Sequence, residues 1–301
     1  MSSSSLIAIP MPCKTKFIPK TILCFLFLLI VSPVWAQEKP QQTIPNPAQL
    51  GTRTVIRREA AHLGYGGTVT LVGAPNGSIT IEGWSRSEVE LTAEIELRGG
   101  TEEDLNLLAL VNGLVFDESA NHVRILSVGM HDKKYMRRTA KAFPKQLLGL
   151  PWKIDYRIRV PEFCDLEINA GRGPISLKGV EGSLALTATE TVAQLALNSG
   201  VVNATVGSGK LDVKIMSRSW RGTGADIRLA VGEMTVELPP GFSADVDASI
   251  LRTGKIEDSF GELQPRQRNS ITPQLMRARA GAGGPVFKFT VADGTISIKK
   301  H

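Results

Sequence analysis

The 301-residue sequence contains only three cysteines and four histidines. Cys13 and Cys24 lie within the first 36 residues, so a chain that loses this stretch keeps Cys164 alone and cannot form an intramolecular disulfide. The histidines are scattered, without a His-x-His or His-Glu-x-x-His pair. We therefore expect no metal, no cofactor and no catalytic residue, and we expect Cys164 to be a buried small hydrophobe and not a reactive thiol.

Aromatic residues make up only 6% of the chain, and the excess of positive charge is small. The formal net charge of +6 includes three lysines in the first 36 residues, so the chain that follows carries about half of it. Binding of nucleic acid requires a dense basic face with aromatic or helical reading elements. The composition therefore argues against nucleic acid as a partner.

No apolar run in the chain reaches the roughly 20 residues that span a bilayer. The longest, residues 21–31, follows three lysines and precedes a Val-Trp-Ala ending at Ala36, which predicts a signal peptide over 1–36 and no transmembrane span after cleavage. Translation from Met1 or from Met11 would satisfy this pattern. We expect export to the periplasm, the cell surface or the extracellular space, with a Pro-rich flexible linker over 37–52.

A nine-residue repeat dominates the second half of the chain. Small or turn-forming residues recur at Gly173, Gly182, Thr191, Gly200 and Gly209. Apolar side chains stand two and four positions after each: Ile175 and Leu177, Leu184 and Leu186, Ala193 and Leu195, Val202 and Ala204, Leu211 and Val213. Alternation buries one face of a strand and glycine permits a tight turn, so a constant period predicts strands that stack on one another in chain order.

The rest of the β domain, expected over residues 53–301, shows the same alternation with two exceptions. Thr101 and Asp104 have capping-box spacing before Leu105 and Leu108, which predicts one short helix near 102–111. Residues 266–284 are polar and Gly-rich, which predicts a long loop. We predict an all-β fold of stacked short strands, β-solenoid or β-helix-like, while an antiparallel sandwich stays open.

A basic insertion near 131–150 interrupts the alternation. Between positions 131 and 145 a single acid, Asp132, accompanies six cations, and apolar residues recur there at helical spacing. The pattern favours either an amphipathic helix that meets anionic lipid or glycan or a solvated insertion whose apolar side packs on the β domain. The candidate contact residues are Lys133, Lys134, Arg137, Arg138 and Lys141.

Three motifs resemble the bacterial putative-adhesin family, domains of unknown function related to the head domains of auto-transporter adhesins. These are Asn-Gly-Ser-Ile-Thr-Ile-Glu-Gly-Trp over 76–84 followed by Val-Glu-Leu over 89–91, Val-Pro at 160–161, and Gly-Thr-Ile-Ser-Ile over 294–298. The resemblance covers most of the chain after residue 36. It implies a β-solenoid-like stack, exported to the cell envelope or surface, with no assigned catalytic residue.

The function that follows is a non-catalytic, adhesin-like interaction module whose partner is an envelope polysaccharide, anionic lipid or another surface protein. Two alternatives stay open: a periplasmic scaffold, and a polysaccharide-acting β-helix enzyme. For the enzyme, Asp212, Lys214, Asp226 and Arg228 would have to converge on one outer face. A further pair of carboxylates, Asp245 and Asp247, alternates along one strand, which is typical of a solvated strand face.

Overall fold

The computed structural model describes residues 50–268 and 270–301, and in them the chain is mostly β, as predicted. The predicted signal peptide and nearly all of the predicted linker lie outside the described residues. β1 begins at Gly51, slightly before the expected start of the β domain. The elements are β1 (Gly51–His62), β2 (Thr68–Val72), β3 (Ile79–Trp84), β4 (Glu88–Gly99), α1 (Glu102–Val111), β5 (Gly113–Ser119), β6 (His122–Val128), α2 (Lys133–Thr139), β7 (Trp152–Pro161), β8 (Asp165–Arg172), β9 (Ile175–Lys178), β10 (Leu184–Leu197), β11 (Val201–Ile215), β12 (Gly224–Leu238), β13 (Ala244–Asp258), β14 (Leu263–Pro265), β15 (Leu275–Ala280) and β16 (Val286–Lys300).

The long strands β10 to β13 and β16 each consist of two arms. In β11 the buried side chains fall on even positions up to Val206 and on odd positions from Leu211 onward. This change of phase across Gly209 directs the inner faces of both arms into the same hydrophobic core. We call the parts before and after this corner the first arm and the second arm. Shorter strands supply the same two arms, since β8 pairs with the first arm of β10 and β9 pairs with the second.

The nine-residue repeat corresponds to one arm, so a full layer of the stack takes 18 residues. Leu184 pairs in parallel register with Leu166 on one side and with Val202 on the other, each 18 positions away. The strands are thus longer than the short strands predicted, because most pairs of repeats run on through the corner without a break. Between β11 and β12 the partners are Val202 and Ala225, since the segment 217–223 is inserted between the two strands. Trp220 of this insertion is buried in the hydrophobic core.

Glycines form the corner because neighbouring backbones meet there. Gly209, Gly232 and Gly294 are aligned across three strands and have φ of 126°, 138° and 146°. A Cβ on Gly232 would lie 1.9 Å from the carbonyl oxygen of Gly209. Thr191 takes the corresponding position in β10, where it is buried and its Oγ1 has no hydrogen-bond partner among the described residues. At the three aligned glycines the ladder therefore leaves no room for a side chain.

Two features of the C-terminal part differ from the prediction. β16 lies between β12 and β13 and is parallel to both, so the last strand enters the stack and the layers do not follow chain order throughout. The predicted loop over 266–284 was wrong, because it contains β15, which pairs antiparallel with β13. Met276, Ala278 and Ala280 alternate inward there, and the two alanines carry too little apolar surface to mark a strand in the sequence.

Antiparallel strands flank the parallel stack at both ends. β4 and then β1 extend the second-arm side beyond β7, β5 lies beside β6, and β14 and β15 flank the first arm of β13. α1 packs on β4 and β1. The predicted helix near 102–111 is confirmed together with its capping box. Thr101 Oγ1 accepts a hydrogen bond from Asp104 N, and the Asp104 carboxylate accepts one from Thr101 N, both at 3.1 Å.

Candidate functional site

The basic insertion occupies the connection between β6 and β7. Its core is α2, which begins after Asp132, whose Oδ1 accepts hydrogen bonds from Lys134 N at 2.8 Å and Tyr135 N at 3.0 Å. These backbone hydrogen bonds hold the pKa of Asp132 below its ordinary value, and the one from Tyr135 N has the largest effect. The single acid of the segment therefore serves as the helix cap.

The cations of the insertion all point to solvent. The basic surface, as we call it, consists of Lys133, Lys134, Arg137, Arg138 and Lys141, and each of these five residues is exposed. None of them forms an ion pair with a carboxylate of the described residues, and their one side-chain hydrogen bond runs from Arg137 Nε to the carbonyl oxygen of Lys133 at 3.2 Å. Cations elsewhere on the sheet are commonly paired, as Arg124 is with Asp117 at 2.8 Å. The basic surface is therefore a local concentration of uncompensated positive charge.

The apolar side of the insertion faces the protein. Met136 and Leu147 are buried, and Phe143 packs against the hydrophobic core. The predicted helical spacing is confirmed over the first part, while α2 ends at Thr139 and a 3₁₀ turn follows over Lys145–Leu147. Because the core covers this apolar side, it is not available for insertion into a bilayer. What the segment offers a partner is charge and hydrogen-bond donors.

The four residues considered for an enzyme site do not converge. Asp212 and Lys214 project from the second arm of β11, whereas Asp226 and Arg228 belong to the first arm of β12. Asp226 binds its own neighbour, with Arg228 Nε at 2.9 Å from Oδ1. The two pairs therefore lie on different arms of the sheet and do not assemble into one groove.

Asp245 and Asp247 act as structural anchors and not as a solvated strand face. Arg266 contacts both carboxylates, and Arg279 Nε lies 3.0 Å from Asp245 Oδ1. These ion pairs connect the segment around β14 and β15 to β13. Within residues 50–268 and 270–301 no group of three or more His, Cys, Asp or Glu side chains is arranged to hold a metal ion. Cys164 is buried, as predicted, and burial raises the pKa of its thiol to about 12.

The outer face of the second arms carries a groove that sequence reasoning missed. It has a volume of about 460 Å³ and crosses β9, β10, β11, β12 and β16. Of the lysines that line the groove, Lys214 was predicted on an outer face, whereas Lys178, Lys210 and Lys299 were not. The 18-residue spacing would have aligned the strands that carry Lys178 and Lys214. Nothing in the sequence indicates that β16, with Lys299, lies beside β12.

Across the part of the chain that the structure describes, no helix has the length and apolar character needed to cross a bilayer.

No protein-family model and no curated protein matches this sequence significantly. Among solved structures, the chain is similar to a "putative cell adhesion protein" from Clostridium sporogenes, at 17% identity and a TM-score of 0.44, over 82% of this chain and 100% of that one. A "putative adhesin" from Bacteroides fragilis is 13% identical with a TM-score of 0.35, over 82% and 97% of the two chains. A "putative lipid binding protein" from Parabacteroides distasonis is 15% identical with a TM-score of 0.28, over 81% and 96%.

Proposed function

We propose that this protein is an exported, adhesin-like binding module without catalytic activity, which contacts anionic groups of the cell envelope through its basic surface. The observation that carries the proposal is the exposure of five cations without an acidic partner among the described residues. The segment 131–145 holds six cations against one acid. The net positive charge of this segment exceeds that of the whole chain after residue 36. The segment is therefore a dense concentration of positive charge.

The chemistry of the basic surface suits phosphate and carboxylate groups. Arginine and lysine donate several hydrogen bonds each to such anions. Because the apolar side of the insertion is buried in the protein, the contact is peripheral and electrostatic, and it weakens as salt is added. Each Lys or Arg close to an anionic membrane contributes about 1 kcal/mol, so several together are needed for useful affinity.

We further propose a β-solenoid-like stack as the rigid carrier of this surface. Supporting this are the parallel register at 18-residue intervals, the aligned corner glycines and the single core shared by the two arms. Export is supported by the signal-peptide pattern of residues 1–36. A module without catalytic activity is favoured over a polysaccharide-acting enzyme because Asp212 and Lys214 lie on a different arm from Asp226 and Arg228.

The test is cosedimentation of the chain from Gln37 onward, which keeps every described residue, with lipid vesicles. Vesicles with 30% phosphatidylglycerol are compared with neutral phosphatidylcholine vesicles, and a sulfated and a neutral glycan resin form a second pair of arms. The basic-surface variant replaces Lys133, Lys134, Arg137 and Arg138 with Ser. At about 1 kcal/mol per cation, its partition onto the anionic vesicles should fall by two to three orders of magnitude at low salt.

The matched control removes the same charge elsewhere. Four exposed cations that form no ion pair among the described residues are replaced with Ser: Arg58, Arg157, Arg218 and Lys288. The control should bind within a few-fold of the unaltered chain. Equal losses in both variants would show that only net charge matters, and no binding to either anionic material at low salt would refute the proposal. The two anionic arms distinguish a lipid headgroup from a glycan as the source of the charge.

A further inference from the structure

The groove on the outer face of the second arms is independent of the basic surface. It is a hollow because of side-chain size: Ala196, on β10, lies beside Lys214 on β11 and near Lys178 on β9. Lysine side chains on both sides rise well above the short alanine. The floor is the rigid parallel sheet, so the shape of the groove does not depend on a mobile loop.

Two rows of side chains cross the strands in direct register. One row is Ser176, Gln194, Asp212 and Thr235, and neighbouring strands place its members about 4.8 Å apart. Within the described residues, the side chains of Ser176, Gln194 and Thr235 form no hydrogen bond to another protein group. These hydroxyl and amide groups both donate and accept hydrogen bonds. These three side chains are therefore free to bind a ligand, while Asp212 in the same row pairs with Lys210 Nζ at 3.5 Å.

The second row supplies the charge. Glu237 stands between two lysines, 3.7 Å from Lys214 Nζ and 3.1 Å from Lys299 Nζ. Burial alone would raise the pKa of Glu237, but the hydrogen bond from Lys299 and the nearby positive charges outweigh it and lower the pKa. With Lys178 and Lys210 the groove is lined by four ammonium groups and by the two carboxylates of Asp212 and Glu237. A third carboxylate, that of Glu82 on the adjacent strand β3, pairs with Lys178 Nζ at 3.0 Å. The four lysines therefore exceed the three carboxylates, and the groove keeps a small net positive charge.

We propose that this groove binds an acidic oligosaccharide, a chain of sugar rings that carry carboxylates. Lysines match the carboxylates, and the row from Ser176 to Thr235 matches sugar hydroxyls, which also donate and accept. A polyphosphate has acceptors only and would meet the carboxylates of Asp212 and Glu237 without a hydrogen to share. Among the described residues none that lines the groove is aromatic, so the stacking that holds nucleic-acid bases is lacking. Each strand adds one polar side chain to the row along the groove, just as each sugar ring adds its hydroxyl groups along an extended glycan.

The experiment is isothermal titration calorimetry of the chain from Gln37 onward with pentagalacturonate, a neutral galactose pentamer and inorganic polyphosphate. Pentagalacturonate should bind, with an affinity at least ten times that of the neutral pentamer. The double variant Lys178→Ala with Lys214→Ala should weaken it at least tenfold. Ala196→Gln, which fills the hollow from an outward position without changing charge, should weaken it at least fivefold while leaving the melting temperature unchanged.

Two controls separate this site from general charge and from the basic surface. Arg157→Ala with Lys288→Ala removes two exposed cations outside the groove and should leave pentagalacturonate binding intact, as should the basic-surface variant. The groove variants should in turn bind anionic vesicles normally. The proposal is overturned if pentagalacturonate does not bind, if Ala196→Gln binds it unchanged, if polyphosphate binds as tightly, or if the control loses as much affinity as the lysine double variant.

Discussion

Substitution of Gly232 by alanine is a direct test of the stacked corner. Gly232 has φ of 138°, a backbone conformation that side-chain-bearing residues rarely adopt, and its added Cβ would lie 1.9 Å from the carbonyl oxygen of Gly209. That oxygen belongs to the backbone of the adjacent strand, so it cannot move aside as a flexible side chain would. Either the two strands separate locally or the corner changes its dihedral angles.

The expected cost has two parts. Holding a non-glycine residue at such dihedral angles costs about 1–3 kcal/mol. Forcing an extra methyl group into a packed site costs a further 1–3 kcal/mol or so. Gly241 provides the matched control, because its φ of 72° is also positive but no atom of the described residues lies within 4 Å of an added Cβ. Gly241→Ala should therefore lose stability only through its unfavourable backbone conformation, which costs about 1–2 kcal/mol.

Urea unfolding followed by far-ultraviolet circular dichroism measures this difference. Gly232→Ala should be less stable than Gly241→Ala by about 2 kcal/mol or more, which corresponds to a further drop of about 4–8 °C in melting temperature for a chain of this size. An insoluble Gly232→Ala beside a soluble Gly241→Ala would agree with the same reasoning. Equal destabilisation of the two variants would refute it, since the carbonyl of Gly209 would then not lie against the corner.

Two further predictions concern polar groups inside the fold. Thr191→Val should raise the free energy of unfolding by about 1 kcal/mol or more, because the buried Thr191 Oγ1 has no hydrogen-bond partner in the described structure. Thr187 is exposed, so Thr187→Val should change the free energy of unfolding little in the same urea titration. A destabilised Thr191→Val would mean that the Thr191 hydroxyl forms a hydrogen bond. The Asp155 carboxylate accepts hydrogen bonds from Ser78 N and Oγ, both at 2.7 Å, and from Lys153 Nζ at 2.8 Å. Burial alone would raise the pKa of Asp155, but these hydrogen bonds outweigh burial and lower the pKa. The stabilisation that the Asp155 carboxylate contributes is therefore complete above the ordinary pKa of an aspartate and is lost as pH falls through the lower folded-state pKa. The urea concentration at the unfolding midpoint should decrease as the pH is lowered below about 4, and Asp155→Asn should make that decrease less steep. An unchanged pH dependence in Asp155→Asn would contradict the assignment.

Much of the local structure was predictable because it depends on near neighbours in the chain. The alternation around Leu184 and Leu186 predicts an inward face, and both side chains are buried. The capping box at Thr101 and Asp104 predicts where α1 begins. The charge of the basic insertion and the helical spacing of Met136 predict its two faces in the same way. Each of these features follows from the chain's own periodicity and local hydrogen bonding.

The candidate sites were predictable only in part. The residues of the basic surface were identified from their density along the chain, because all of them lie in one short segment. That the core covers the apolar side of this segment required the tertiary structure, since Leu147 belongs to the core that strands distant in sequence build. The positions of the four residues named for the enzyme alternative also required the tertiary structure. Asp212 and Asp226 both follow the outward alternation, yet the corner in each long strand places them on different arms.

The sequence by itself determined most of the strands and their inward faces, the first helix and the glycines of the corner. Only the tertiary structure decided which strands pair: that β16 enters between β12 and β13, that β15 lies in an expected loop, and that Lys299 joins Lys178 and Lys214 in one groove. The physical reason is that backbone hydrogen bonds are nearly the same between any two strands of similar length. The choice among partners is made by the packing of the whole core and by chain closure, and neither is written in a local pattern.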